Sequence, residues 1–450
     1  MPFQSIYPYT GETFAEYEAM DAAAVEAAVT RSQSVFNDWS MRSFSERAVV
    51  LQQAAAVLQQ KKEELGRLIT REMGKTITES IAEVEKCAWV CEYYAQEAEG
   101  FLKDELVQTD YSHSLIRYQP IGAVLAIMPW NFPFWQVFRF AAPTLMAGNA
   151  ALLKHASNVS GCALAIQTVF EEAGAPAGLF QTLLVKSDQV ESILRYDAVQ
   201  AVSLTGSEQA GVSVAAIAGA QIKKSVLELG GSDAFVVLAD ADLALAAKTA
   251  VQARLQNAGQ SCIAAKRFIV VQELYDAFIA ASLQHIGAVR QGDPLAAGTN
   301  MGPLARPDLA DTLRAQLDSS LAAGARLLHG GDFEGCNAAP ILLGQVAPGM
   351  AAFDEETFGP LMAVTRAEDE AHALQLANHS RFGLGGSVWS RDTDRAFRFA
   401  SEMSTGAVFI NSMVKSDPRL PFGGIKKSGY GRELSAAGIR EFVNMKTWLQ

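Results

Sequence analysis

The pattern of apolar and polar positions divides the chain into a helical first part and an alternating α/β remainder. Ser43-Phe-Ser-Glu46 is a capping-box pattern, and apolar residues at helical spacing follow it until Gly74 stops the run. A second helix is predicted from about Ile77 to Leu102. Residues Ser114–Tyr118 and Ala123–Ile127 then switch to short, β-prone segments. Ala151–Lys154 reads as a strand end, followed by a helix over about Gly161–Ala173. Leu183–Val185 and Ala201–Thr205 are strand-like, and a helix follows Ser207. A second series starts at Ala234 and continues through Arg267–Val271 and a helix over Leu274–Val289. Such alternation predicts an α/β fold with doubly wound parallel sheets. Phe442–Leu449 reads as an edge strand that pairs elsewhere in the chain.

Composition adds limits. A chain of 450 residues is long for one core, so two or three units are expected. The net charge of -12 argues against capture of nucleic acid or of an anionic membrane surface. An anionic substrate therefore needs a local cationic pocket. The most apolar stretch, Ile121–Pro129, is far too short to span a bilayer. The N-terminus lacks the basic and apolar regions of a signal peptide, so a cytoplasmic location is expected. Five cysteines in a chain this long do not read as a disulfide framework. Cys87 and Cys91 share a helix face without a second ligand pair, and no metal site is expected.

Four places carry candidate chemistry. Thr205-Gly206-Ser207 follows a strand and opens a helix, where free N–H groups and the helix dipole attract phosphate. The same glycine also suits an ordinary strand–helix turn. Glu228 lies between two leucines and ahead of Gly230-Gly231. Burial would raise its pKa toward that of a general base, or its carboxylate would bond the N–H groups of the glycine turn. Cys262 follows the polar turn Asn257-Ala258-Gly259-Gln260-Ser261 and precedes Lys266 and Arg267, whose charges favour a thiolate; a buried free cysteine is otherwise an inert small hydrophobe. Pro129 and Pro133 stiffen the backbone around Asn131, which suits an oxyanion donor or simply an aromatic turn.

Taken together, these segments resemble the aldehyde dehydrogenase superfamily, most closely the short bacterial succinate-semialdehyde dehydrogenases. The family pattern appears as PWNFP at 129–133, LLK at 152–154, TGS at 205–207, LELGG at 227–231, GQSC at 259–262, EETFGP at 355–360 and PFGGIKKSGYGRE at 421–433. The resemblance implies an aldehyde dehydrogenase-like fold with a Rossmann-like cofactor domain over 1–106 and 126–228. A catalytic domain would span 229–420, and oligomerisation strands would come from 107–125 and 436–450. It implies Cys262 as nucleophile, Glu228 as base, and Asn131 with the Cys262 N–H as oxyanion hole. Ile127, Met128, Trp130, Lys154, Gly206, Ser207, Leu229, Glu356 and Phe358 would line the NAD(P) cleft.

Three further positions refine that implication. Ser157 stands where many NAD-preferring members carry a glutamate that would repel a 2′-phosphate, so NADP is expected to be preferred and NAD possible. Arg139 stands where succinate-semialdehyde dehydrogenases place an arginine for the substrate carboxylate, with Ser261 and Arg419 as secondary contacts. Ala264 replaces a second cysteine, so the disulfide switch of longer relatives should be missing. The expected reaction is oxidation of succinate semialdehyde, or a similar small ω-carboxy aldehyde, to the free acid by a homodimer or homotetramer. Oxidation of neutral aldehydes, a thiol esterase without redox chemistry and a non-catalytic binding relative are the alternatives.

Overall fold

Ser43 accepts the Glu46 N–H while Glu46 reaches back to the Ser43 N–H, starting the helix Phe44–Met73; Gly74 closes it at φ 86°. Thr76 and Glu79 repeat the device at the head of the helix Ile77–Leu102. The computed structural model describes residues 2–450. Before these helices come elements the sequence reading passed over: a hairpin of Phe3–Tyr7 with Glu12–Tyr17, and the helix Ala22–Trp39. The hairpin strands are short, and Ser5 interrupts the inward face of the first, so their alternation is faint.

The first large sheet runs in the order Gly429–Tyr430, Lys224–Glu228, Val199–Thr205, Ala123–Met128, Ala150–His155, Phe180–Thr182. Its neighbours are parallel except Gly429–Tyr430, which pairs antiparallel with Lys224–Glu228. The strand expected at Leu183–Val185 forms earlier, at Phe180–Thr182, where Ala151 and Leu153 stand opposite Phe180 and Thr182. The segment is buried almost throughout, so no alternation marked its ends.

The second large sheet has seven strands, in the order Arg326–His329, Ile341–Gly344, Leu361–Ala367, Arg267–Val271, Ala234–Val237, Gly385–Trp389, Ala407–Ile410. Its central residues alternate between two cores: Val236 and Ile269 face one, Phe235 and Phe268 the other. A third sheet joins Glu105–Leu106, Ser114–Pro120 and Val443–Leu449, the last antiparallel to the second from Val443 opposite Pro120 to Leu449 opposite Ser114. Among the described residues no helix is long and apolar enough to cross a membrane.

Candidate active site

The register of the first sheet aligns Ile127 with both Lys154 and Leu204, and Thr205 with Glu228. The C-terminal ends of four parallel strands therefore meet on one edge, where open α/β sheets bind ligands. Lys154 is half-buried there; burial lowers its pKa, and it has no carboxylate partner among the described residues. Ser157 opens the short turn Ser157–Val159 and is exposed. Gly206 donates its N–H to the Glu228 carbonyl at 3.0 Å, and Ser207 caps the helix Glu208–Ala220. Met128 is buried and Ile127 half-buried beside them. Trp130 meets the Phe358 ring edge-on at 5.8 Å. Leu229 lies against Gly211, where any side chain would collide with it.

Glu356 accepts the Gly231 N–H at 3.0 Å and lies 3.7 Å from Lys266 Nζ. A Cβ at Gly230 would collide with its carboxylate, and one at Gly231 would press on the Cys262 carbonyl. The glycine pair thus lets Glu356 and the cysteine loop approach the same stretch of backbone.

The cysteine loop is a strained turn held from several sides. Asn257, Ala258 and Gly259 have φ of 52°, 51° and 77°, a left-handed run that costs energy at the two non-glycine positions. The Asn257 N–H is bound by Glu79 Oε1 at 2.7 Å, and its side chain donates to the Asn131 carbonyl at 2.8 Å. Buried Lys266 donates to the carbonyls of Ser261, Cys262 and Ala264 at 3.0, 2.9 and 3.1 Å. Buried Arg254 donates to those of Gly259 and Ala265. Arg267 turns away and serves the carbonyls of Ser232, Leu376 and Ala377, so only Lys266 of the expected cationic pair faces the thiol. Burial pushes the Cys262 thiol up to about 12, against the opposing pull of Arg139 and then Lys266. Cys262 is half-buried, whereas the other four cysteines are buried.

Asn131 is buried, its Nδ2 donating to the Gln260 carbonyl at 3.0 Å and its Oδ1 accepting from Gln136 at 3.2 Å. His155 ties this segment to the neighbouring strand through the Pro133 carbonyl at 2.9 Å; burial holds its pKa down to about 4, so the ring is neutral. Glu228 is buried with neither carboxylate oxygen hydrogen-bonded. The glycine-turn N–H groups go elsewhere, Leu229 to the Ser428 carbonyl and Gly231 to Glu356. Burial, and then the charge of Glu433, push the Glu228 carboxyl well above its ordinary range, opposed by Arg139 and Arg432. Arg139 forms a buried ion pair with Glu433, donates to Thr205 Oγ1 at 3.3 Å, and lies 4.7 Å from the Phe422 ring centre.

A cavity of about 600 Å³ opens against Cys262, walled by Ser261, Arg139, Trp135, Lys86 and Phe422. Arg419 stays outside it, exposed and paired with Asp417. Glu79, Glu83, Lys86, His155, Arg254 and Glu433 had no role in the sequence reading. The signal for the first three was a row of charges at helical spacing on Ile77–Leu102, which reads equally well as a solvated face. Among the described residues no group of acidic, His or Cys side chains is arranged to hold a metal ion.

The profile of the Aldehyde dehydrogenase family matches residues 1–448, and the chain belongs to that family. It is 49% identical, over all of both chains, to the probable succinate-semialdehyde dehydrogenase [NADP(+)] of Synechocystis. Over the whole of both chains it is 48% identical to succinate-semialdehyde dehydrogenase [NADP(+)] 1 of Mycobacterium tuberculosis. The crystal structure of succinic semialdehyde dehydrogenase from Streptococcus pyogenes in complex with NADP+ superposes at a TM-score of 0.98. That pair shares 36% identity over 100% of this chain and 99% of the other.

Proposed function

We propose that this chain oxidises succinate semialdehyde, or a similar small ω-carboxy aldehyde, to the free acid, with NADP+ preferred and NAD+ accepted. The observation that carries the reading is a half-buried thiol opening on a cavity whose wall carries Lys86, Arg139, Lys248 and Lys415 against Glu79 and Glu83, in a chain of net charge -12. The relatives named above support the same substrate and cofactor. Cys262, its thiol proton passed to solvent, adds through Sγ to the aldehyde carbon, and the oxyanion is met by the Cys262 N–H and the Asn131 amide, each with an N–H that no acceptor among the described residues claims. Bound NADP+ supplies the hydride acceptor. As hydride leaves, the adduct becomes a thioester on Cys262. Glu228, made basic by burial, takes a proton from the water that hydrolyses it.

The residues at the strand ends fit the dinucleotide. Lys154 is an unmatched cation, and Ser157 beside it presents a neutral hydroxyl to a 2′-phosphate. Arg139 contributes charge to the thiol and, through nitrogens that Glu433 and Thr205 leave free, a donor to the substrate. The bulk of the three sheets supports a cofactor unit over 1–106 and 126–228, a catalytic unit over 229–420, and an oligomerisation unit from 107–125 and 436–450, except that residues 123–125 and Gly429–Tyr430 join the first sheet and Glu105–Leu106 the third. Five free thiols suit a reducing, cytoplasmic setting.

Steady-state kinetics on succinate semialdehyde, glutarate semialdehyde and butanal, each with NADP+ and NAD+, tests the reading. A preference for an acidic aldehyde with NADP+ is expected, and equal use of butanal would leave the neutral-aldehyde alternative. Ser157→Glu should raise the NADP+ KM much more than the NAD+ KM; equal changes would remove Ser157 from cofactor selection.

A further inference from the structure

The cavity beside Cys262 holds more positive charge than the protein neutralises. Arg139 is balanced by Glu433 within a buried ion pair. Lys86 is not balanced: Nζ donates to Ser416 Oγ at 2.7 Å and lies 4.1 Å from the Trp135 ring centre, with no carboxylate among the described residues in ion-pair range. Lys248 and Lys415 also line the cavity without an ion-pair partner among the described residues, but both are exposed to solvent, so Lys86 is the unpaired lysine there that burial makes costly. The acids around it are committed elsewhere. Glu83, one turn away on the same helix, accepts the N–H groups of Phe134 and Trp135 and pairs with Lys75. Asp417, next to Ser416, is bound by the guanidinium and the N–H of Arg419. Glu79 is taken by the Asn257 N–H and by Thr76.

We infer that Lys86 is the specificity-determining residue for the acidic end of the substrate, its ammonium, steadied by Ser416 and Trp135, pairing with the ω-carboxylate while Cys262 holds the aldehyde carbon. This deepens the reading given under Proposed function and rests on it. A half-buried ammonium without a counter-ion is costly, and an incoming carboxylate relieves that cost; a neutral chain of equal length does not. Burial, followed by the nearby Arg139, already pulls the Lys86 pKa down to about 8, whereas Cys87, Glu83 and Asp417 act the other way. An anion beside Lys86 offsets that burial, a need the solvated Lys248 and Lys415 do not share.

The test compares succinate semialdehyde with butanal in the wild-type enzyme, Lys86→Met and Lys86→Arg. In Lys86→Met the ratio of kcat/KM for the acid over the neutral aldehyde should fall by roughly 10- to 150-fold, the size of a lost hydrogen bond to a charged group. The loss should lie in KM, and succinate should lose its advantage over butyrate as a competitive inhibitor. Lys86→Arg, which keeps the charge, should hold the ratio within about threefold of wild type. If wild type itself shows no preference for the acid, the substrate reading fails. If wild type prefers the acid and Lys86→Met keeps that preference, or loses both substrates equally, the assignment to Lys86 is overturned. Should Lys86→Met not fold, Lys86→Gln takes its place and is judged by the same ratio, an unchanged ratio overturning the assignment.

Discussion

At the scale of single residues, the cysteine thiol is disfavoured as a thiolate until something joins it. Cys262 has Arg139 and Lys266 near it, yet burial wins and carries the thiol up to about 12. A raised pKa means that the protonated form persists at neutral pH and the thiolate grows only as pH climbs. Alkylation of the free enzyme by iodoacetamide should therefore quicken about tenfold per pH unit from pH ~7 to ~9.5, without the plateau expected of a thiol near the ordinary value. Mass spectrometry should find the label on Cys262, because the other four cysteines are buried. Cys262 stood out as a candidate through its motif. Which cation faces it was not legible, because Lys266 and Arg267 are adjacent in sequence and only the folded chain turns one inward and one away.

At the scale of elements, the helix Ile77–Leu102 is a bracket for the site. Glu79 holds the Asn257 N–H of the cysteine loop, and Glu83 holds the Phe134 and Trp135 N–H groups just beyond Asn131. One turn of helix thus sets the spacing between the Cys262 loop and the segment that carries Asn131. Glu83→Ala would leave buried Lys75 unpaired and two N–H groups unmet, so it should cost about 3–5 kcal/mol in urea unfolding, the usual penalty for breaking a buried pair. A loss under about 1 kcal/mol would show that Glu83 is not the clamp. The helix was visible in the sequence over about Ile77 to Leu102 and forms over that span, although its own capping box, Thr76 with Glu79, was not read there. Its bracketing role was hidden, because the groups it holds lie about 50 and 180 positions away.

At the scale of the whole molecule, the three-stranded sheet leaves an unsatisfied edge. Val443–Leu449 pairs on one side only, and Met445 and Leu449 are exposed along it, with Leu106 exposed across the sheet. Such an edge calls for cover, and a second copy of the chain is the expected cover. Sedimentation should find a dimer or tetramer for the full chain and a smaller species after deletion of residues 443–450. A full chain that sediments as a monomer at micromolar concentration would remove the oligomer from the proposal.

The sequence by itself determined the α/β alternation, the helix caps and the order of the motifs, because each depends on residues a few positions apart. It also marked Cys262, Glu228 and Asn131 as candidates, since their local contexts are unusual for their residue types. Tertiary structure alone decided what surrounds them: Glu228 without a hydrogen-bond partner, Arg139 balanced by Glu433, and Lys86 left as a cation without an anion. The physical reason is that charge balance and desolvation are sums over neighbours in space, and the neighbours here come from helices, strands and loops spread across the chain.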